Sequence, residues 1–156
     1  MFFIGVGVVQ ALLQRVSQAS VAVDGRAVGS IERGLLVLLC AERGDTDDVA
    51  RRLVEKLSKL RVFEDDAGKM NLSVQDISGS LLIVSQFTLA ADTSKGNRPS
   101  FTAAALPEEA HRLYDIFVGF SRQTGLNVQT GIFAANMQVS LVNDGPITIG
   151  LTIRNP

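Results

Sequence analysis

The run Leu35-Leu36-Val37-Leu38-Leu39-Cys40 sets the first limit on any fold for this chain. A strand with one wet face alternates apolar and polar side chains, so an unbroken apolar run demands cover on both faces. Cys40 closes the run, where a thiol serves as a small buried hydrophobe. One cysteine and one histidine supply neither a disulfide framework nor a zinc pattern. That usage suits a reducing cytoplasm.

The rest of the chain supplies the cover. Val9 to Val23 reads as a strand, with Arg15, Ser17 and Ser20 interleaved among Val and Leu. Asp24-Gly25 is a hairpin turn, and Arg26 to Ile31 is the return strand. After Cys40, Asp45 or Thr46 caps a helix whose first turn carries Asp47 and Asp48. Its apolar stripe is Val49, Leu53, Leu57 and Leu60. Arg51, Arg52, Lys56 and Lys59 lie mostly off that stripe and read as a solvated face rather than a nucleic-acid patch. Phe63 to Asn71 carries oxygen ligands around Gly68 but lacks the alternating positions and terminal Glu of a calcium loop, so it reads as a hairpin turn. Pro107 opens a second helix with Glu108 and Glu109 in its first turn, an apolar face of Leu113, Ile116, Phe117 and Phe120, and Gly125 at its end. Asn127 to Ile132, Met137 to Val142 and Ile147 to Ile153 read as closing strands. The sum is one α+β domain over residues 1–156, with many strands and two helices on one sheet face.

Length and charge narrow the function. At 156 residues, 46% hydrophobic and a net charge of −1, the chain fits one soluble domain and lacks the footprint of a strong, non-specific nucleic-acid binder. A protein that grips only one end of an RNA remains compatible with that balance. No segment reaches the ~20 apolar residues of a membrane span. Residues 1–8 are apolar but lack the basic region of a secretory signal, and read as an N-terminal extension.

Two stretches carry candidate chemistry. In Leu81-Leu82-Ile83-Val84-Ser85-Gln86-Phe87-Thr88-Leu89 an apolar strand runs into polar residues; alternation puts Ser85 and Phe87 on one face, Gln86 and Thr88 on the other. Either Ser85 and Thr88 satisfy backbone at a strand end, or the strand opens into a pocket where Gln86 and main-chain N–H groups hold a polar substrate. His111 lies on the second helix with no acidic orienter readable, which gives little support to a Ser–His or Thr–His pair. In Asn143-Asp144-Gly145-Pro146-Ile147-Thr148, Gly and Pro interrupt a strand. Either this is a turn between two hairpin strands, or a cis Gly-Pro bond turns main-chain carbonyls into fixed acceptors. Between them, Asp92 to Phe101 is a polar loop whose Lys95 and Arg98 suit a rim touching phosphate.

Both stretches resemble the two signature motifs of the D-aminoacyl-tRNA deacylases. Gln14 to Val21, Phe63-Glu64-Asp65, Gly68-Lys69-Met70-Asn71 and Lys95 to Phe101 are similar to the same family, so the resemblance runs from about Gln10 to about Leu151. It implies a three-layer β/β/α sandwich of mostly antiparallel strands with two main helices, homodimeric, with active sites at the interface. It implies hydrolysis of the ester between a D-amino acid, or mischarged glycine, and the 3′-terminal adenosine of tRNA. The expected location is the cytoplasm, and no cofactor or metal is expected. Ser85, Gln86, Phe87 and Thr88 would form the catalytic floor, with main-chain N–H groups near Phe87 and Thr88 on the ester carbonyl. Gly145 and Pro146, joined by a cis bond, would enter the partner's pocket and exclude L side chains. Phe133, Ala134, Met137, Asn143 and Thr148 would bind substrate. Ala134 and Cys40 depart from the family pattern, standing where glycine is common. A conventional hydrolase with a Ser85 or Thr88 nucleophile, and a module that only binds an RNA end, are the alternatives.

Overall fold

The computed structural model describes residues 8–154. The expected extension over residues 1–8 lies outside them apart from Val8, which opens the first strand. The chain runs β1 (Val8–Val23), β2 (Arg26–Ile31), β3 (Gly34–Cys40), α1 (Asp47–Lys59), β4 (Phe63–Glu64), β5 (Met70–Leu72), β6 (Ser80–Ser85), a 3-10 turn (Phe87–Ala90), α2 (Pro107–Gln123), β7 (Asn127–Thr130) and β8 (Gln138–Arg154). Thr46 caps α1 by accepting from the Val49 N–H, and Gly125, at φ 84°, follows α2.

β1 is the spine. One of its edges pairs with β3 over Gln10–Val16 and with β2 over Ala19–Val23, and the other pairs with β8 along almost its whole length. All of these pairings are antiparallel. β6 then adds parallel to β3, and β7 parallel to β6. The small β4–β5 hairpin stands apart, as its turn residues require.

The apolar run in β3 is covered on both faces. Leu35, Val37 and Leu39 join Leu53 and Leu57 of α1 and Phe117 of α2 in the larger core. Leu36, with Leu38 packed beside it, faces Val16, Val21, Leu82 and Val84 in a second core enclosed by strands. The sheet therefore curls on itself while the helices cover its outside: helices, sheet, and the returning half of the sheet make three layers. Closure depends on Gly29. A Cβ there would stand 2.5 Å from the Thr130 carbonyl oxygen, so β2 meets β7 only because residue 29 has no side chain.

Two local readings change. Met137–Val142 and Ile147–Ile153 are not two strands of a hairpin, because both halves run antiparallel to β1 in the same direction as one strand. The residues between them are an excursion from that strand. Thr148 pairs with Gln14 and Asn143 with Val16, so Asp144 to Ile147 all stand opposite Arg15 alone. The second change is at β6, which stops at Ser85; Phe87 and Thr88 lie in the 3-10 turn, where strand alternation no longer sets which way they face.

Candidate active site

Because β3 and β6 run parallel, they end side by side at one edge of the sheet. The chain leaving each must diverge, and a crevice opens beyond their carboxyl ends. A cavity of about 580 Å³ lies there. Leu39, Ala41 and Arg43 wall it from the β3 side, and Val84, Ser85, Gln86 and Phe87 from the β6 side. Phe101 and Ala104 to Pro107 form the approach to α2, which adds Ala110 and Tyr114. Phe133, Ala134, Ala135 and Met137 close the remaining side.

The 3-10 turn after Gln86 gives the cavity its polar character. Gln86 N–H donates to Leu39 O at 2.7 Å, which ties the turn to the end of β3. Leu89 N–H and Ala91 N–H are taken by Gln86 O and Thr88 O. The N–H groups of Phe87 and Thr88, the first of the turn, have no hydrogen-bond partner among the described residues. This is the usual state of the leading amides of a helical turn, which must find acceptors outside it. The Gln86 side-chain amide donates to the Thr88 hydroxyl. Phe87 is 55% exposed yet held edge-on against Phe101, ring centroids 5.1 Å apart.

Among the described residues, the cavity lining holds no His, Asp, Glu or Cys that could serve as a side-chain base. Burial pushes the Tyr114 phenol up to about 12, and its hydroxyl donates to Ile83 O at 2.7 Å. Burial first, then the charges of Glu42 and Asp45, likewise push the Cys40 thiol up to about 12. Packed under the turn with Ala90 and Ala104, it is inert. His111 does have an acidic neighbour, contrary to the sequence reading: Asp115, one helical turn on, lies 3.5 Å away. The i,i+4 spacing was the available signal. The imidazole is stacked on Phe133, centroids 4.4 Å apart and 5° from parallel, and bonds to neither Ser85 nor Thr88.

Of the residues picked out from sequence, the fold brings Ser85, Gln86, Phe87, Phe133, Ala134 and Met137 onto this cavity, with Thr88 directly behind Phe87 in the turn. Ala134 adopts φ 66°, a left-handed conformation that costs a non-glycine residue about 1–2 kcal/mol and that glycine would adopt without that cost. Asn143, Gly145, Pro146 and Thr148 do not line it. The Gly145-Pro146 peptide is cis. Asn143 Oδ1 accepts from Ile147 N–H at 2.7 Å and its Nδ2 donates to Thr148 Oγ1 at 2.9 Å, so Asn143 and Thr148 clasp the base of the excursion.

Sequence reasoning missed Arg15. It is 7% exposed; Nε donates to Asp144 O and Nη1 to Val62 O, both at 2.8 Å. The arginine thereby fixes the carbonyl preceding Gly145. Its signal was its phase: counting by two from Ala11 and Leu13, whose side chains are buried, reaches Arg15.

Comparison with known proteins fits this geometry. The sequence profile of a family described as D-Tyr-tRNA(Tyr) deacylase matches residues 12–152. The chain is 63% identical over 145 residues to a D-aminoacyl-tRNA deacylase of Paracidovorax citrulli, covering 93% of this chain and 94% of that one. It is 60% identical over 142 residues to a D-aminoacyl-tRNA deacylase of a Ruegeria species, covering 91% of each. Among solved structures, a c-Myc DNA unwinding element binding protein superposes with a TM-score of 0.87 at 42% identity, over 94% of this chain and 99% of that one. A probable eukaryotic D-amino acid tRNA deacylase shares the fold, with a TM-score of 0.82 at 21% identity, over 94% and 100% of the two chains.

Proposed function

The chain belongs to the D-aminoacyl-tRNA deacylase family, and from that membership we propose how its cavity hydrolyses the ester between a D-amino acid and the 3′-terminal adenosine of tRNA. The observation that carries the proposal is the pair of unpartnered main-chain N–H groups at Phe87 and Thr88, where β6 opens into the cavity. They receive the ester carbonyl oxygen and stabilise the oxyanion that develops on it as water attacks. Such donors are already in place and need no reorganisation during the reaction. An aminoacyl ester is an activated acyl group, so this arrangement suffices without a side-chain nucleophile. The ribose 2′-hydroxyl beside the ester assists the water, and the ribose oxygen leaves with a proton.

Each neighbouring residue has a part in this reading. Ser85 and Gln86 form the floor, and the Gln86 amide holds Thr88 and so the turn. Phe133, Ala134 and Met137 wall the side that receives the terminal adenosine. Gly145 and Pro146 act in the cavity of a second copy, where their carbonyl oxygens occupy the space an L side chain needs. Asn143, Thr148 and Arg15 hold them there. The protein works as a single domain, as a homodimer, and in the cytoplasm. The described helices include none long and apolar enough to cross a membrane.

The test is a time course with D-tyrosyl-, glycyl- and L-tyrosyl-tRNA at equal enzyme. D-Tyrosyl and glycyl esters should be cleaved and the L-tyrosyl ester spared, because exclusion by volume rejects the wrong enantiomer without contacting the right one. Comparable cleavage of both tyrosyl enantiomers would refute the selective role given to Gly145 and Pro146. Survival of glycyl-tRNA while D-tyrosyl-tRNA is cleaved would mean that the D side chain is recognised positively.

A further inference from the structure

Among the described residues, Arg43 is the one charged residue lining the cavity, and it is exposed, so it stands at the rim. Its placement is fixed from two directions. Its main-chain N–H donates to Ala103 O at 3.0 Å, and Nε donates to Thr102 O at 2.7 Å. That uses the inner donor of the guanidinium and leaves the two terminal nitrogens with no hydrogen bond and no salt bridge among the described residues. Neither adjacent acid forms a salt bridge with it among the described residues: Glu42 accepts from the Gln10 side chain, and Asp45 accepts from the Glu42 main-chain N–H. A guanidinium is always charged and presents a planar fork of donors matched to oxyanions.

An aminoacyl group and a nucleoside give such a fork no anion to bind. The anion that lies next along the substrate is the phosphodiester joining the terminal adenosine to the preceding nucleotide. We propose that the outer edge of Arg43 is a subsite for that phosphodiester, so that the enzyme distinguishes an aminoacyl ester on an RNA strand from the same ester on a free nucleoside. The proposal rests on the deacylase reading of the cavity. It gives a net-negative protein a cation without a salt bridge among the described residues where the polyanionic strand leaves the pocket.

Two substrates separate this role from a structural one: D-tyrosyl-tRNA, and D-tyrosyl-adenosine, which carries the same ester and no phosphate. For Arg43→Gln, the loss in kcat/KM on the tRNA should exceed that on the adenosine ester by roughly tenfold, mostly in KM, as for a partly exposed charge-assisted contact. The slope of log(kcat/KM) against log[salt] for the tRNA should become shallower by about 0.7, the increment for one phosphate on a single strand. Arg43→Lys, which keeps the charge, should restore most of that slope. Equal losses on the two substrates, or an unaltered salt slope, would overturn the subsite while leaving the deacylase reading intact. A wild-type protein that cleaves neither ester would overturn that reading and the subsite with it.

Discussion

Thr88 and Ser85 are the hydroxyls best placed to be taken for a nucleophile, and neither is hydrogen-bonded to a carboxylate or imidazole among the described residues. Thr88 Oγ1 already accepts from Gln86, and the cavity lining offers no carboxylate or imidazole. If water and main-chain donors do the chemistry, Thr88→Ala removes one support of the turn and should slow single-turnover deacylation by no more than about tenfold, whereas removal of a covalent nucleophile costs on the order of a million-fold. Near-complete loss in a folded variant that still binds tRNA would point to an acyl-enzyme. At this scale the sequence was legible unevenly. Ser85 to Thr88 stood out because polar residues followed an apolar run, yet the groups the proposed mechanism uses there are backbone, and unpartnered amides leave no mark in side-chain identity. Arg15 stood there only as a polar residue interleaved in a strand and Arg43 drew no reading, since their hydrogen-bond partners Val62, Thr102 and Asp144 are distant in sequence.

The elements that hold the site are unequal in what they depend on. β3 and β6 were evident from apolar runs, and α1 and α2 from periodicity and caps, because those signals are local. The excursion at Asp144 to Ile147 was not, since a turn and a bulge use the same residues; only pairing of both flanks with β1 distinguishes them. The segment from Ala41 to Thr46 is equally inconspicuous, yet it braces one cavity wall through Ala105 N–H to Ala41 O and Arg43 N–H to Ala103 O. Asp45 is its buried centre. Its Oδ2 accepts from Glu42 N–H at 2.5 Å, and its Oδ1 is buried without a partner among the described residues. Burial pushes its carboxyl from the ordinary 3.8 up to about 7, with the Glu42 charge adding to the rise and the Glu42 N–H opposing it. A carboxyl whose folded pKa is raised favours the native state at low pH and loses that contribution as pH rises through the folded value. The wild type should therefore lose stability from this group between about pH 4 and pH 7, a loss that Asp45→Asn removes. Denaturant midpoints measured at about pH 5 and about pH 8 should shift in favour of the variant at the higher pH. Parallel pH dependence of the two proteins would show that Asp45 ionises as freely folded as unfolded.

At the scale of the whole molecule, a single copy leaves two features unemployed. The outer edge of β8 has no ladder partner among the described residues, although the strand runs from Gln138 to Arg154. An open edge of that length offers a row of unpaired N–H and C=O groups to another chain. Its face is only partly covered: Val139, Leu141, Ile149, Leu151 and Ile153 pack against the cores while remaining half-buried, and Val142 is 47% exposed. The second feature is the Asp144 to Ile147 excursion, clasped by Asn143, Thr148 and Arg15 but absent from the lining of its own cavity. Under the proposed function, this braced segment acts on a neighbouring copy. One two-fold association would cover the edge of β8 and carry Gly145 and Pro146 of each copy to the cavity of the other, an isologous interface in which both copies give and receive the same element. Sedimentation at micromolar concentration should accordingly give about twice the chain mass, and deacylation per chain should fall on dilution into the range where the dimer dissociates. If Gly145 and Pro146 of one copy complete the cavity of the other, the two measurements must agree. A monomer that retains full activity and full discrimination between D- and L-tyrosyl-tRNA would leave the excursion without this role.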